Sequence, residues 1–323
     1  MSPHKLIIDC DCGVDDAEAI MMALVRPKDS VQVLAITTVS GNTGVHQASS
    51  NVLRVLKLFP DAKVPVYKGA AAPLATAEPE EEMSRRFHGA DGLGGVADSI
   101  AVDETQIQPE PAALVISRLI SQNPGEISIV ALAPLTNIAL ALRLDPSIAK
   151  KTKELIIMGG TLSGRGNRVD FLTAEFNLGH DPDAASLVLS EMTCPKTMLP
   201  FDVCTEACLS FDWYKRWISG SNSMRARFLQ RIHGQRVKAV LDCYYKGYYS
   251  CDPYAMAILL YPDCVLESKM LNVQVERFGT LTRGHLVVDW LKIGQSNSAN
   301  NLTKVVTKLD TKVLAHAYET LTA

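Results

Sequence analysis

Asp9-Cys10-Asp11-Cys12-Gly13-Val14-Asp15-Asp16 is the stretch from which the fold can be read. It follows the apolar run Leu6-Ile7-Ile8 and precedes a helical pattern, Ala17-Glu18-Ala19-Ile20-Met21-Met22-Ala23-Leu24. The predicted order is buried strand, tight turn at Gly13, helix. Four carboxylates then sit at the carboxyl end of a strand, where open α/β sheets place their ligands. Asp9 and Asp11 have the period-two spacing that puts both side chains on one side of an extended strand end. Asp15 and Asp16 fall in the first helical turn, where exposed N–H groups and the dipole favour negative charge. That dipole contributes only about 0.3–1 kcal/mol per group, too little to gather four like charges in one cleft. A divalent cation would gather them, and oxygen donors point to calcium or magnesium.

Simple helix capping explains one or two of these residues but not four across a glycine turn. An EF-hand is excluded, because its sixth and twelfth loop positions need Gly and Glu, whereas counting from Asp9 they hold Val14 and Ile20. A phosphotransferase of the haloacid-dehalogenase type, with a D-x-D-x-T strand end, is a better rival. It would use Asp9 as nucleophile and Asp11 as acid with magnesium. Gly13 stands where its Thr belongs, and it leaves Asp15 and Asp16 without a role.

The whole composition narrows the class. The 323 residues are 47% hydrophobic and 21% charged, enough for a sizeable core and unlike a disordered chain. Net charge is −3, from 32 basic and 35 acidic residues, with no basic block. Neither nucleic acid nor an anionic membrane is an expected partner. Apolar runs fall short of the ~20 residues that span a bilayer, and Met1-Ser2-Pro3-His4-Lys5 leads into the first strand without a signal-peptide core. A cytoplasmic protein is expected. The eight cysteines show no C-x-x-C pair and read as reduced core residues rather than a zinc site.

Along the chain, Val31–Val39 reads as a second buried strand ending at Ser40-Gly41-Asn42-Thr43, where Asn42 is either a helix cap or a site residue. A helix over about 45–58 and a short strand at 64–67 follow. Residues 69–109 lack periodicity and contain His88-Gly89-Ala90-Asp91-Gly92-Leu93-Gly94-Gly95, a long glycine-rich loop suited to a lid. Alternation resumes with a helix (110–122), the strand 126–132, the turn Ala133-Pro134-Leu135-Thr136-Asn137 into another helix, and the strand Glu154–Met158 ending at Gly159-Gly160. No Gly-Lys-Ser/Thr follows, so this is not a phosphate-binding loop. Asn167 and Glu175-Phe176-Asn177 precede a helix from Asp181-Pro182, and a strand covers 196–199. Residues 210–250 look mainly helical and carry Tyr244, Tyr245, Tyr248 and Tyr249; Cys251-Asp252-Pro253 opens a further helix with Asp252 as a plausible N-cap. Strands over about 264–277 and 284–291, then a last strand and helix, close the chain. With no repeat and no linker, the expected architecture is α/β: one domain over 1–323, an open, mostly parallel twisted sheet flanked by helices.

These residues resemble the nucleoside hydrolases, the inosine–uridine-preferring family of N-ribohydrolases. The family hallmark D-x-D-x-G-x-D-D is matched from Asp9 to Asp16, and its later landmarks follow in order. They are Gly41-Asn42, His88-Gly89, Leu135-Thr136-Asn137, Met158-Gly159-Gly160, Glu175-Phe176-Asn177 and Asp252-Pro253. The resemblance implies a calcium-dependent glycosidase that hydrolyses ribonucleosides to free base and ribose, in nucleoside catabolism and purine salvage, as a homodimer or homotetramer.

Carried over position by position, it implies that Asp11 touches the metal and acts as general base, Asn42 helping to orient the water. Asp16, Asp252 and the backbone carbonyl of Leu132 would complete the metal's protein ligands. Asp15 would meet the ribose 2′-hydroxyl, Asn177 and Asp252 the 3′-hydroxyl, and Asn167 and Glu175 the 5′-hydroxyl. Met158 would pack under the sugar, His88 would come from the lid segment, and Asp9 would brace the site from behind. Cleavage through an oxocarbenium-like ribosyl cation suits a carboxylate cluster. Direct attack by water predicts inversion at C1′, and contacts to ribose hydroxyls predict rejection of 2′-deoxynucleosides. One departure stands out: where the best-known branch has a His before the metal Asp, this chain has Cys251, as in the Cys-bearing subgroup. Cys251 is then either the proton donor to the leaving base or a wall of its pocket. Cys12 also stands where many relatives carry Pro. A non-catalytic nucleoside- or calcium-binding relative is the remaining alternative.

Overall fold

A computed structural model of the chain describes residues 3–75, 87–168, 170–242, 246–292 and 302–323. The first half runs β1 (His4–Cys10), α1 (Val14–Leu24), β2 (Val31–Thr38), α2 (Val45–Leu56), β3 (Val66–Lys68), β4 (Ile107–Gln108), α3 (Ala112–Gln122), β5 (Ile127–Ala131), α4 (Thr136–Leu144), α5 (Ile148–Lys151) and β6 (Glu154–Met158). The second continues with α6 (Phe176–His180), α7 (Pro182–Glu191), β7 (Lys196–Leu199), α8 (Phe201–Glu206), α9 (Phe211–Ser219), α10 (Met224–Asp242) and α11 (Cys251–Leu260). Then come β8 (Val265–Leu271), β9 (Val273–Val275), β10 (Leu286–Val288), β11 (Thr303–Leu309) and α12 (Thr311–Thr322).

Among the described residues nine strands form one sheet in the order β4-β3-β2-β1-β5-β6-β7-β11-β8, parallel except for β8, which runs antiparallel to β11. Leu6, Ile7 and Ile8, and every residue of β5, are buried, as a parallel sheet covered on both faces requires. From β1 the chain winds outward one way through β2, β3 and β4; from β5 it winds the other way through β6 and β7. The switch point between β1 and β5 is where such sheets open a ligand crevice beyond their carboxyl ends. The register aligns those ends: Asp9 pairs with Thr37 of β2 and Ala131 of β5, and Ala131 pairs with Ile157 of β6. Hence Asp11, Asn42, Leu132 and Met158 follow neighbouring strands at one edge of the sheet.

Local expectations needed correction. The left-handed residue of the first turn is Cys12 (φ 38°), and Gly13 is extended. Gly13 is required for space instead, because a Cβ there would lie 2.6 Å from His88 Nδ1 and 2.7 Å from Asn42 Nδ2. Asn42 does not cap α2, whose N-cap is Gly44. Asp252 is not the N-cap of α11; Ser250 is, and Asp252 falls inside the first turn. The predicted strand over 264–277 divides at Asn272 into edge strand β8 and a separate two-stranded ribbon of β9 and β10. The mainly helical stretch expected over 210–250 holds two helices, Phe211–Ser219 and Met224–Asp242, and Tyr244 and Tyr245 lie outside the described residues.

Candidate active site

The site starts from the turn after β1. Asp9, still in the strand, is fully buried: its Oδ1 accepts from Thr37 Oγ1 at 2.5 Å and Asn137 Nδ2 at 2.8 Å. Its peptide oxygen accepts from Leu132 N at 2.8 Å, tying the ends of β1 and β5 together. So held, Asp9 braces the crevice from behind and is poorly placed as a nucleophile.

Asp11 turns toward the loop after β2. Its Oδ2 accepts from Asn42 N at 2.7 Å and its Oδ1 from Asn42 Nδ2 at 2.9 Å. The same Nδ2 reaches Asp16 Oδ2 at 3.5 Å, so one amide joins both carboxylates. Burial raises the Asp11 carboxyl to about 7, against the lowering effect of its Asn42 and Asp16 hydrogen bonds. Gly41 makes the approach possible, since a Cβ there would stand 1.9 Å from Asp11 Oδ2.

Asp15 and Asp16 open α1. Asp16 Oδ2 accepts from Gly13 N at 2.8 Å, as half of a capping box. Its Oδ1 is buried and meets no hydrogen-bond donor among the described residues. Burial, then the charges of Asp252, Asp11 and Asp15, hold the Asp16 carboxyl well above the ordinary carboxylate range. One carboxylate oxygen from each of Asp15, Asp16 and Asp252 lies within 4.8 Å of the others. His88 comes in from the glycine-rich loop: its Nδ1 accepts from Val14 N at 3.1 Å and lies 3.6 Å from Asp15 Oδ1.

A second group gathers on the β5–β6 side. Asn177 Nδ2 donates to Leu132 O at 2.9 Å and Met158 O at 3.1 Å, and lies 3.4 Å from Met158 Sδ. Glu175 caps α6, accepting from Asn177 N at 2.8 Å and Leu178 N at 3.2 Å, and also from Gly160 N at 2.8 Å. Burial nevertheless raises its carboxyl to about 7. Asn167 Oδ1 accepts from Phe176 N at 2.7 Å, which fastens the loop before α6. Cys251, just ahead of Asp252, is buried with its thiol in hydrogen-bond contact with Cys204.

Three buried carboxylates converging from two helices, with Asp16 Oδ1 lacking a donor, fit a hard divalent cation that takes oxygen ligands. The convergence of Asp252 with the first turn is what an ion at this place demands.

The sequence profile described as "Inosine-uridine preferring nucleoside hydrolase" matches residues 6–316. The chain belongs to this family. As a nucleoside hydrolase it acts by cleaving an N-glycosidic bond, which removes the phosphotransfer alternative. It is 32% identical over 317 residues to the "Inosine-uridine preferring nucleoside hydrolase" of Leishmania major, covering 95% of this chain and 94% of that one. To the "Probable uridine nucleosidase 1" of Oryza sativa subsp. japonica it is 34% identical over 286 residues, 88% of this chain and 85% of the relative. The solved "Inosine-Guanosine Nucleoside Hydrolase (IG-NH)" superposes with a TM-score of 0.86 at 31% identity, covering 98% of each chain. No helix among the described residues of this nucleoside hydrolase is long and apolar enough to cross a membrane.

Glu18 and Arg168 are among the buried charged groups that escaped the sequence reading. Glu18 of α1 is fully buried beside His233 of α10. Its signal was present: it is the lone charged residue in the otherwise apolar run Ala17–Leu24. Arg168 is buried behind Glu175 and paired with Asp170 at 2.8 Å, and nothing in a loop sequence distinguishes it from a surface arginine.

Proposed function

We propose that this nucleoside hydrolase uses calcium to hydrolyse the N-glycosidic bond of ribonucleosides to free base and ribose, with inversion at C1′. The observation that carries the reading is the meeting of Asp252 with Asp15 and Asp16 around an oxygen of Asp16 that lacks a donor. Asp11, Asp16, Asp252 and the Leu132 carbonyl would hold the ion. A bound calcium would orient the attacking water and ease its deprotonation.

The chain's own groups account for the rest. Asp11 takes the proton from the water as general base. Asn42, which grips both Asp11 oxygens, keeps the base aimed. The water oxygen bonds to C1′ while the C1′–N bond breaks and its electron pair leaves with the base. The ribosyl carbon passes through an oxocarbenium-like state, and the surrounding carboxylates stabilise its developing positive charge. Asp15 would hold the 2′-hydroxyl, Asn177 and Asp252 the 3′-hydroxyl, and Asn167 and Glu175 the 5′-hydroxyl. Met158 lies under the sugar and His88 closes over it from the loop. Cys251 would border the leaving base, either as its proton donor or as a wall of its pocket. A cytoplasmic homodimer or homotetramer serving nucleoside catabolism and purine salvage belongs to the same reading.

The test is a panel of purine and pyrimidine ribo- and 2′-deoxyribonucleosides, assayed for reducing sugar with calcium and with chelator. Inosine or uridine should release ribose only with calcium, and deoxynucleosides should react about 10⁴-fold more slowly, because a site built around a hydroxyl is left with unmatched polar groups. Full activity in chelator, or no sugar from any ribonucleoside, refutes the reading.

A further inference from the structure

Glu18 is a carboxylate that the reaction does not use, buried where a charge is costly unless it is fully partnered. It follows Asp15 by one helical turn of α1. Its Oε1 accepts from Tyr248 OH and lies 2.8 Å from His233 Nε2; its Oε2 accepts from Ser250 Oγ and, at 3.2 Å, from Tyr318 OH. These partners come from four places in the chain: α10, the segment before α11, the cap of α11 and α12. Two of them, Tyr248 and Ser250, immediately precede Cys251 and Asp252.

The acidic cluster sets like charges against one another. Asp15, Asp16 and Asp252 repel one another, and α1 and α11 carry them from opposite ends of the sequence. Glu18 supplies the opposing attachment: through Ser250 it pins the first turn of α11 to α1 two residues before Asp252. On its other side its Oε1 lies 2.8 Å from His233 Nε2 without hydrogen-bond geometry, and the His233 ring packs against Tyr214 and Tyr248, with Nδ1 3.2 Å from Tyr214 OH. The residue before His233, Ile232, is the one on which the glycine-rich loop rests: a Cβ at Gly94 would stand 2.4 Å from Ile232 O. One carboxylate therefore connects the helix of Asp15 and Asp16, the helix of Asp252 and the helix beneath the loop that carries His88.

We propose that Glu18 is a positioning residue, clamping Ser250 through its hydroxyl so that Asp252 stands at cation-binding distance from Asp15 and Asp16. This rests on the metal-dependent reading given above.

The experiment titrates calcium chloride into chelator-stripped full-length protein by calorimetry and measures kcat and KM on the responding ribonucleoside. Glu18→Leu removes the clamp and should weaken calcium binding at least tenfold, lowering kcat/KM at limiting calcium by a similar factor that excess calcium partly restores. Glu18→Gln, whose amide can still bond the Ser250 and Tyr248 hydroxyls, should stay within about threefold. A folded Glu18→Leu protein with a lowered Tm but wild-type calcium affinity overturns the proposal, since a merely structural residue behaves that way. Should Glu18→Leu fail to fold, Ser250→Ala breaks one link and should weaken calcium three- to fivefold, and an unchanged affinity is equally decisive against the clamp. Failure of the wild-type protein to bind calcium or cleave any ribonucleoside refutes the functional reading itself. Normal wild-type behaviour beside unaffected variants refutes the clamp alone.

Discussion

Replacing Asp11 with Asn should stabilise the metal-free protein at alkaline pH while removing its activity. The Asp11 carboxyl is fully buried and raised by that burial from 3.8 to about 7. Between those two values the folded protein keeps a proton that the unfolded chain has released, so stability falls as pH rises from about 4 to about 7. Above pH 7 the whole penalty is present, about 4 kcal/mol for some three pH units. Asparagine has no such titration. It does lose one good acceptor, because Asn42 donates to both Asp11 oxygens and an amide offers only one oxygen. That mismatch costs about 1–3 kcal/mol, which leaves a net gain of about 1–3 kcal/mol for the variant.

For 323 residues the unfolding entropy is roughly 0.7 kcal/mol/K, so each kcal/mol moves Tm by about 1.5 °C. Calorimetry in chelator at pH 8 should therefore find Asp11→Asn melting about 2–4 °C above wild type, and at pH 4 the advantage should be gone. Saturating calcium should reverse the order, since the ion stabilises whichever protein binds it better, by about 2.7 kcal/mol at a hundredfold excess over Kd. Turnover should fall by about 10²–10⁴-fold, the usual loss when a general base is removed. A variant that melts at or below wild type at pH 8 in chelator, with the same difference at pH 4, would show that Asp11 is not held against its charge.

Other substitutions probe single contacts. Gly41→Ala drives a methyl into Asp11 Oδ2 and should cut kcat at least a hundredfold, with a stability loss of about 1–3 kcal/mol seen by thermal melting. Asp9→Asn keeps the oxygen that Thr37 and Asn137 bond, so calcium affinity should be unchanged and turnover reduced less than tenfold; loss of calcium binding would make Asp9 a ligand rather than a brace. Gly94→Ala combines a left-handed φ of 67° with a 2.4 Å approach to Ile232 O, and Gly94 N donates to His88 O at 2.7 Å. It should displace the loop carrying His88 and raise KM severalfold with a smaller change in kcat.

Much of the molecule could be read from residue order because its governing signals are local. Leu6-Ile7-Ile8, Ala35-Ile36 and Leu155–Met158 are apolar on both faces, and each is the buried part of a parallel strand. The spacing of Asp9, Asp11, Asp15 and Asp16 likewise put four carboxylates at the carboxyl end of β1 and the start of α1. What local patterning left open was set by distant partners. Asn42 sits three residues before α2 and has a cap's composition; only the approach of β1 to β2 gives its amide to Asp11. Asp252 reads as a cap because helix starts favour Asp, and its real neighbours lie at the other end of the sequence. Glu18 is legible as a lone charge in an apolar helix, but its partners Tyr248, Ser250 and Tyr318 lie more than 200 residues away, and α1 has no solvent side: residues 14–23 are buried all round.

That last contrast bears on how the site is kept. Asp11, Asp16 and Glu175 all have carboxyls raised chiefly by burial, so the fold works against its own charges at the crevice. Such an arrangement persists only where the surroundings over-determine it. Here they do so in two ways. The crevice lies at the switch point of a sheet whose strands are buried on both faces, and its acidic groups are gripped by amides from elsewhere: Asn42 on Asp11, Asn137 on Asp9, and the backbone of Gly160, Asn177 and Leu178 on Glu175. Those amides orient carboxylates without neutralising them. A cation that displaces the protons burial keeps on these carboxyls would find oxygens already aimed, and its charge would offset the penalty of their ionisation.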